Sequence, residues 1–298
     1  GAASTADNSR PLDRYNFRTV GGGGVSVQQS TESPDNFKNS MAVTVATADT
    51  SIASTDTYML RQTLEGLNTS HLGFGTSAAK TITLSFWVRS SLTGTFGGSI
   101  TNYAANRSNV FQYAISSANT WEKKTVTIAG DTSGTWLTTN SGSLVLYFDW
   151  GSGSNYNGTA NTWAAANHRR VSGNVNLIGT GSATWYLTGV QIEVGDAATE
   201  FEHRPYTTEL QLCQRYYQDF SNGMGVGYLA WRYTPNNGHW LHLVMNPRLR
   251  ASPTVTSSSW AGTQPTVYEV SSVSIMFNHT SSAFYSTTGT VINASAEL

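Results

Sequence analysis

Two segments with strand-like alternation carry an aromatic and a hydrogen-bonding side chain on the face opposite their aliphatic row. One segment places Trp87 and Arg89 on that face, and the other places Tyr147 and Asp149 there. Aromatic planes stack on the apolar C–H faces of sugar rings, while guanidinium and carboxylate groups hydrogen-bond to sugar hydroxyls. If the two strands are neighbours, one sheet face carries a platform for saccharides. The alternative is that this face packs against the N-terminal segment or a neighbouring subunit.

A second aromatic group surrounds the turn "PNNG", which joins two strand-like segments and is a strong hairpin signal. Its members are Trp231, Tyr233, His239 and Trp240. They are a second candidate for carbohydrate binding, and the alternative is that they form the core of a small domain. His239 and His242 lie at an odd spacing that points them to opposite faces of a strand, so they are not expected to share a metal ion.

The sequence contains no recognisable catalytic constellation. Glycosidases need two carboxylates in one cleft, but the candidates Glu65, Glu122, Asp149 and Glu193 belong to separate strands or turns. There is no G-x-S-x-G elbow, and the Gly-rich runs lack the Lys-Ser/Thr of a phosphate-binding loop. Cys213 lies among bulky residues, as a packed structural thiol does. The sequence therefore predicts a protein without enzymatic activity.

No cofactor is expected from the residue pattern. A structural Ca²⁺ could take ligands from Glu193 and Asp196, at the end of a predicted strand, because carboxylates and carbonyls are its usual ligands. The alternative is a solvated turn, and no clear motif supports a metal site here.

The composition favours strands and turns. The 298 residues include 36 Ser, 40 Thr and 28 Gly, and only 12% are charged, which is roughly half the usual share. A formal net charge of −1 argues against a nucleic-acid-binding surface, which needs a basic stripe. Apolar runs are too short for membrane insertion. The chain lacks an initiator methionine, and we expect it to be a processed or excised piece of a longer protein.

Alternating apolar residues recur in short segments separated by Gly-rich turns, which is typical of a β-sandwich or barrel. The clearest row is Ile82, Leu84, Phe86 and Val88. The main predicted strands lie in 80–91, 110–116, 121–130, 142–150 and 183–195.

One segment departs from this pattern. After Pro205, Leu210, Cys213 and Tyr217 follow at roughly helical spacing, which predicts a short helix within residues 207–220 that buries these three side chains. We interpret this segment as a domain junction. The predicted fold is all-β, with a jelly-roll β-sandwich, a short junction helix and a smaller C-terminal β-domain, in the ranges 1–205, 206–220 and 221–298.

Several stretches resemble a known protein class. The stretches "TLSFWVRSS", "LYFDWGSGSNYNGTANTW" and "YLTGVQIEVGDAATEFEHRPYTTELQLCQRYYQ" are similar to the carbohydrate-binding-module-like, tail-fibre-type structural proteins of tailed bacteriophages. The similarity covers most of residues 12–255. It implies a jelly-roll sandwich and a structural role at host contact in the virion, an extracellular particle assembled in the bacterial cytoplasm. Residues 256–298 match no pattern, as expected of a variable tip.

The resemblance also implies partners. These are a bacterial surface polysaccharide, other virion proteins and two further copies of the chain in a homotrimer. Association is favoured independently by the scarcity of charge in residues 206–298. Three functions stay open at this point: a non-catalytic receptor-binding protein for host attachment, a purely structural spacer or decoration fibre, and an accessory domain of a capsule depolymerase or glycanase.

Overall fold

The structure is a computed structural model that describes residues 3–12, 14–220, 232–233, 239–261, 266–279 and 285–297. The chain divides into two compact units, Gly1–Glu202 and His203–Leu298. Both are built from antiparallel strands with few, short helices. In the described part of the chain, no helix is long and apolar enough to cross a membrane.

The first unit is a jelly-roll β-sandwich of two sheets, which confirms the predicted fold class. One sheet has six strands in the order β1-β4-β9-β6-β7-β10, and the other has five in the order β2-β3-β11-β5-β8. The strands are β1 (Tyr15–Val20), β2 (Gly24–Ser30), β3 (Ser40–Thr47), β4 (Thr57–Glu65), β5 (Ile82–Ser90), β6 (Gly94–Asn102), β7 (Ser108–Ile115), β8 (Glu122–Ile128), β9 (Gly142–Asp149), β10 (Trp163–Ala164) and β11 (Thr184–Val194). The helical pieces are α1 (Gly66–Thr69) and three 3-10 turns, Ser70–Leu72, Ser154–Tyr156 and Leu177–Gly179.

The core lies between the two sheets and is rich in aromatic rings. The predicted aliphatic row of β5 faces it, and each of its four side chains is fully buried. Phe86 of β5 meets Phe148 of β9 across the core with ring centroids 5.1 Å apart. Phe148 also lies 5.5 Å from Trp185 of β11, so three strands from both sheets meet at this ring. Edge-to-face contacts of this kind add stability beyond the apolar area they bury.

Tyr58 links the core to the loop that precedes β2. Its hydroxyl donates to Asp49 Oδ2 at 2.6 Å and accepts from the Gly23 N–H at 3.0 Å. Burial, together with the Asp49 carboxylate, raises the pKa of Tyr58 to about 12, and the hydrogen bond from Tyr58 lowers the pKa of Asp49.

The raised pKa of Tyr58 predicts that the folded chain loses stability at alkaline pH. Above about pH 10 the unfolded chain releases the Tyr58 proton while the folded chain retains it, so the free energy of unfolding falls between about pH 10 and 12. Tyr58→Phe should cost about 1 kcal/mol near neutral pH through the lost hydrogen bond. Urea unfolding at pH 8 to 12 should show the wild-type advantage over Tyr58→Phe shrinking as the pH rises. A constant gap would contradict the assignment.

The second unit is a smaller β-structure with two sheets, ordered β12-β18-β15 and β13-β14-β17-β16. Its core includes Leu243, Ile275, Phe277 and Ile292. The elements are α2 (Tyr206–Gln214), β12 (Tyr217–Asp219), β13 (Arg232–Tyr233), β14 (His239–Val244), β15 (Thr254–Ala261), β16 (Thr266–Val270), β17 (Ser274–His279) and β18 (Tyr285–Ser295).

The predicted short helix is present as α2, but the expectation that it buries three side chains is wrong. Leu210 is 40% exposed, Cys213 is half-buried, and Tyr217 lies beyond the helix in β12 with 40% of its surface exposed. For Tyr217 the reason is that the chain leaves the helix after Gln214 and then alternates as a strand. Alternation buries the neighbours of Tyr217 instead of Tyr217 itself.

Candidate functional site

Trp87 and Arg89 lie on the outer face of the five-stranded sheet, and both side chains are half-buried. In the register, Trp87 lies between Thr188 of β11 and Lys123 of β8. Arg89 pairs with Tyr186 of β11, and its guanidinium carbon lies 5.2 Å from the centroid of the Tyr186 ring. This cation–π contact orients the arginine over the sheet.

Two aromatic residues that sequence reasoning missed complete this face. Tyr186 points outward from β11, and Trp121, directly before β8, meets its ring edge-to-face at 6.1 Å. Both are half-buried, and together with Trp87 and Arg89 they form what we call the outer platform. The signal for Tyr186 was present in the sequence, because strand alternation opposes it to the buried Trp185. The same signal was present for Trp121, because it begins the predicted strand 121–130 and alternation opposes it to the core residues Val126 and Ile128.

Arg89 is fixed by an ion pair at the edge of the platform. Its Nη1 donates to Glu32 Oε2 at 2.9 Å, and Glu32 is largely exposed. Its Nε is buried and has no hydrogen-bond partner in the described chain. The platform therefore combines aromatic rings, a positioned guanidinium and an accessible carboxylate. These groups can stack on a sugar ring and hydrogen-bond to its hydroxyls.

Tyr147 and Asp149 would share a sheet face with Trp87 only if their strands were neighbours, and this condition is not met. Strands β5 and β9 belong to different sheets and meet only through the core. Tyr147 and Asp149 lie on the outer face of the six-stranded sheet, and both are buried. They are buried because residues 166–170, which we call the covering segment, lie against this face: Ser108 of β7 donates to the Ala166 carbonyl at 2.7 Å.

Asp149 is part of a buried ion pair. It is 1% exposed, and Arg170 Nη1 of the covering segment lies 3.4 Å from its Oδ1. The carboxylate also accepts hydrogen bonds from the backbone N–H groups of Gly151 and Ser152. Burial raises the pKa of Asp149, while Arg170 and these hydrogen bonds oppose the rise. Asp149 is a structural anchor of the covering segment and not an exposed ligand for sugars.

Arg169, the neighbour of Arg170, is buried beside two tyrosine rings. Its guanidinium carbon lies 4.0 Å from the Tyr156 centroid and 5.4 Å from the Tyr147 centroid. Nη1 donates to Thr57 Oγ1 at 3.2 Å, and Nε has no partner in the described chain. Burial lowers the pKa of Arg169. The Tyr147 ring therefore packs against the Arg169 guanidinium inside the protein.

The second predicted cluster lies at the limit of what the structure describes. Trp231 lies outside the described residues. The backbones of Tyr233 and His239 are paired, and so are those of Arg232 and Trp240, as expected for the two strands of a hairpin. The side chains of Tyr233, His239 and Trp240 lie outside the described part, so their role in carbohydrate binding stays a prediction.

The scattered carboxylates have local structural roles. Glu122 accepts from the Ser116 and Ser117 N–H groups, and Glu193 accepts from the backbone and hydroxyl of Thr199. Burial is the largest single influence and raises the pKa of each carboxyl. Hydrogen bonds outweigh it and lower the pKa overall, led by Lys124 for Glu122 and by Thr199 for Glu193. Within the described ranges, no group of three or more His, Cys, Asp or Glu side chains is arranged to hold a metal ion.

Comparison with known proteins gives structural neighbours only. The sequence matches no protein-family model and no curated protein. A family 11 carbohydrate-binding module of a cellulosomal cellulase from Clostridium thermocellum aligns over 67% of this chain and 98% of its own, with 12% identity and a TM-score of 0.33. A family 22 module of a xylanase from the same organism covers 66% and 95%, with 11% identity and a TM-score of 0.34. The enzymatically active domain of tailspike protein 4 of bacteriophage CBA120 covers 64% of this chain but 21% of its own, with 12% identity and a TM-score of 0.35.

Proposed function

We propose that this chain is a non-catalytic, tail-fibre-like protein of a tailed-phage virion that attaches to its host by binding a bacterial surface glycan through the outer platform. The resemblance of the sequence to phage fibre proteins supports the virion role. The observation that carries the glycan-binding role is the grouping of Trp87, Trp121 and Tyr186 with Arg89 on one accessible sheet face.

The chemistry of the platform suits neutral or weakly charged sugars. The aromatic rings offer apolar surface for stacking, and Arg89 and Glu32 supply a donor and an acceptor for hydroxyls. Binding at one site should be weak, with a Kd on the order of 1 mM, because sugar hydroxyls exchange hydrogen bonds with water for similar ones with protein. A homotrimer would recover useful avidity by presenting three platforms to one cell.

The direct test is replacement of Trp87 with alanine. We expect Trp87→Ala to lower glycan binding and adsorption to host cells at least about tenfold, since it removes the stacking surface, or about 1.4 kcal/mol of binding free energy. The matched control is Tyr103→Ala, which removes a 52% exposed ring from the same unit, outside the platform. Binding would be measured on a glycan array and by adsorption, after circular dichroism shows that each variant is folded.

The outcomes separate the competing functions. Loss in Trp87→Ala but not in Tyr103→Ala supports the platform. Full binding in Trp87→Ala and loss in Trp240→Ala would move the site to the second unit. Full adsorption in all variants would favour a structural spacer, and release of new reducing ends from capsule polysaccharide would show a depolymerase. Light scattering that finds a stable monomer at micromolar concentration would contradict the trimer.

A further inference from the structure

A polar cleft of about 220 Å³ opens between the loop that precedes β4 and the loops that follow β9. The residues that matter for its chemistry are Ile52, Ser154, Asn157, Arg170, Ser172 and Asn176. All belong to the first unit, and the covering segment contributes the arginine. The volume is below the roughly 300–1,000 Å³ of pockets for drug-sized ligands, so the cleft suits a group about the size of one sugar ring.

Most polar side chains around this cleft are uncommitted. The side chains of Ser154, Asn157, Ser172 and Asn176 make no hydrogen bond to the described chain, and Ser154, Ser172 and Asn176 are exposed. The residues that line the cleft therefore carry two hydroxyls and two amides without a partner in the described chain, and a ligand can replace water at these groups. The lining residues contain one aliphatic side chain, Ile52, and no aromatic ring or carboxylate.

The charged group of the lining is a rigidly held cation. Arg170 is 4% exposed and donates to the carbonyls of Ser152 and Asn174 at 3.1 and 2.6 Å. The backbone carbonyls and Asp149 therefore hold the Arg170 guanidinium in one position before any ligand binds. Preorganisation of this kind lowers the entropy that a ligand must overcome on binding.

The surroundings supply more positive charge than this one arginine. Arg169 lies next in the chain and has no carboxylate within ion-pair distance among the described residues. The two guanidinium groups therefore share one carboxylate, Asp149. The carboxylates of the neighbouring loop, Asp49 and Asp56, do not line the cleft; they accept hydrogen bonds from the Tyr58 hydroxyl and the Ala53 N–H.

We propose that this cleft binds an acidic sugar residue, with the sugar carboxylate facing Arg170 and its hydroxyls hydrogen-bonded by Ser154, Asn157, Ser172 and Asn176. A neutral sugar would be better served by an aromatic ring for stacking and a carboxylate for its hydroxyl protons, and the lining has neither. An anionic group instead gains a charge-assisted hydrogen bond to a guanidinium. This site is separate from the outer platform and adds to the proposed function.

The test is an NMR titration of the whole chain with methyl glucuronide, methyl glucoside and inorganic phosphate. We expect methyl glucuronide to bind with a Kd on the order of 1 mM and at least about tenfold more tightly than either of the others. Its affinity should fall as salt rises. Equal binding of glucoside would overturn the role of charge, and equal binding of phosphate would overturn the role of the sugar hydroxyls.

Glucuronide binding by variants of the chain shows whether the cleft is the binding site. The double variant Ser172→Ala and Asn176→Ala removes two exposed groups without hydrogen bonds to the described chain, so it should fold normally and bind glucuronide at least about fivefold more weakly. Tyr103→Ala, which removes an exposed ring outside both the cleft and the outer platform, should leave glucuronide binding unchanged. Unchanged affinity in the double variant, or a loss in Tyr103→Ala, would overturn the cleft as the site. Failure here leaves the platform proposal intact, because that rests on binding lost in Trp87→Ala.

Discussion

Asp149→Asn is expected to lower the free energy of unfolding by about 3–5 kcal/mol. The reason is that Arg170, buried at 4% exposure, would keep its charge and lose the carboxylate that compensates it. The amide can replace some of the hydrogen bonds to the Gly151 and Ser152 N–H groups only by leaving its own N–H donors unsatisfied. The covering segment should then detach from the six-stranded sheet before the core unfolds.

The matched control is Asp7→Asn, which breaks the ion pair with Arg18 at 3.1 Å, where both side chains are about one-third exposed. Pairs screened by solvent contribute about 0–1 kcal/mol, so this variant should unfold close to the wild type. Urea unfolding followed by tryptophan fluorescence measures both. If Asp149→Asn matched Asp7→Asn, the buried pair would not anchor the segment.

The sandwich could be predicted from the sequence because its core rows are local patterns. Alternation places Ile82, Leu84, Phe86 and Val88 on one face of β5 whatever lies next to the strand, and the structure buries that row. The same alternation places Trp87 and Arg89 outside, where the platform forms.

Strand pairing could not be predicted in the same way. Which strands are neighbours depends on contacts between residues far apart in the chain: β9 lies between β4 and β6, and β5 lies between β11 and β8. The prediction for Tyr147 and Asp149 therefore had the correct strand face but the wrong sheet. Their burial under residues 166–170 is also a long-range effect, since that segment has no strand pattern of its own.

One strand that was not predicted is β6, in the middle of the six-stranded sheet between β9 and β7. Its "GTFGGSITN" sequence contains three glycines and looks like a turn, because glycine weakens isolated strands. The packing around Gly98 explains why a glycine occupies this position. This residue lies opposite Phe111 of β7 and Phe148 of β9, whose rings meet edge-to-face at 6.0 Å, and the Phe111 ring occupies the space that a side chain at Gly98 would need.

Gly98→Ala should therefore lower the free energy of unfolding by about 3 kcal/mol. A methyl group at this position would overlap both the Phe111 ring and the backbone carbonyl oxygen of Tyr147. The ring could tilt, but the carbonyl belongs to a paired strand and cannot move without breaking the ladder between β6 and β9. Overpacking of a dense core typically costs about 1–3 kcal/mol, and a backbone clash puts this site at the upper end.

Gly24→Ala is the matched control, because it makes the same chemical change in a strand where the nearest atoms to the added methyl group, those of Thr47, lie 4.0 Å away. It should change the free energy of unfolding by about 0.5 kcal/mol or less, and it could stabilise the chain by restricting the unfolded state. Urea unfolding of both variants measures the two free energies of unfolding. Equal stability of the two variants would show that the Phe111 ring and the Tyr147 carbonyl do not exclude a side chain at Gly98.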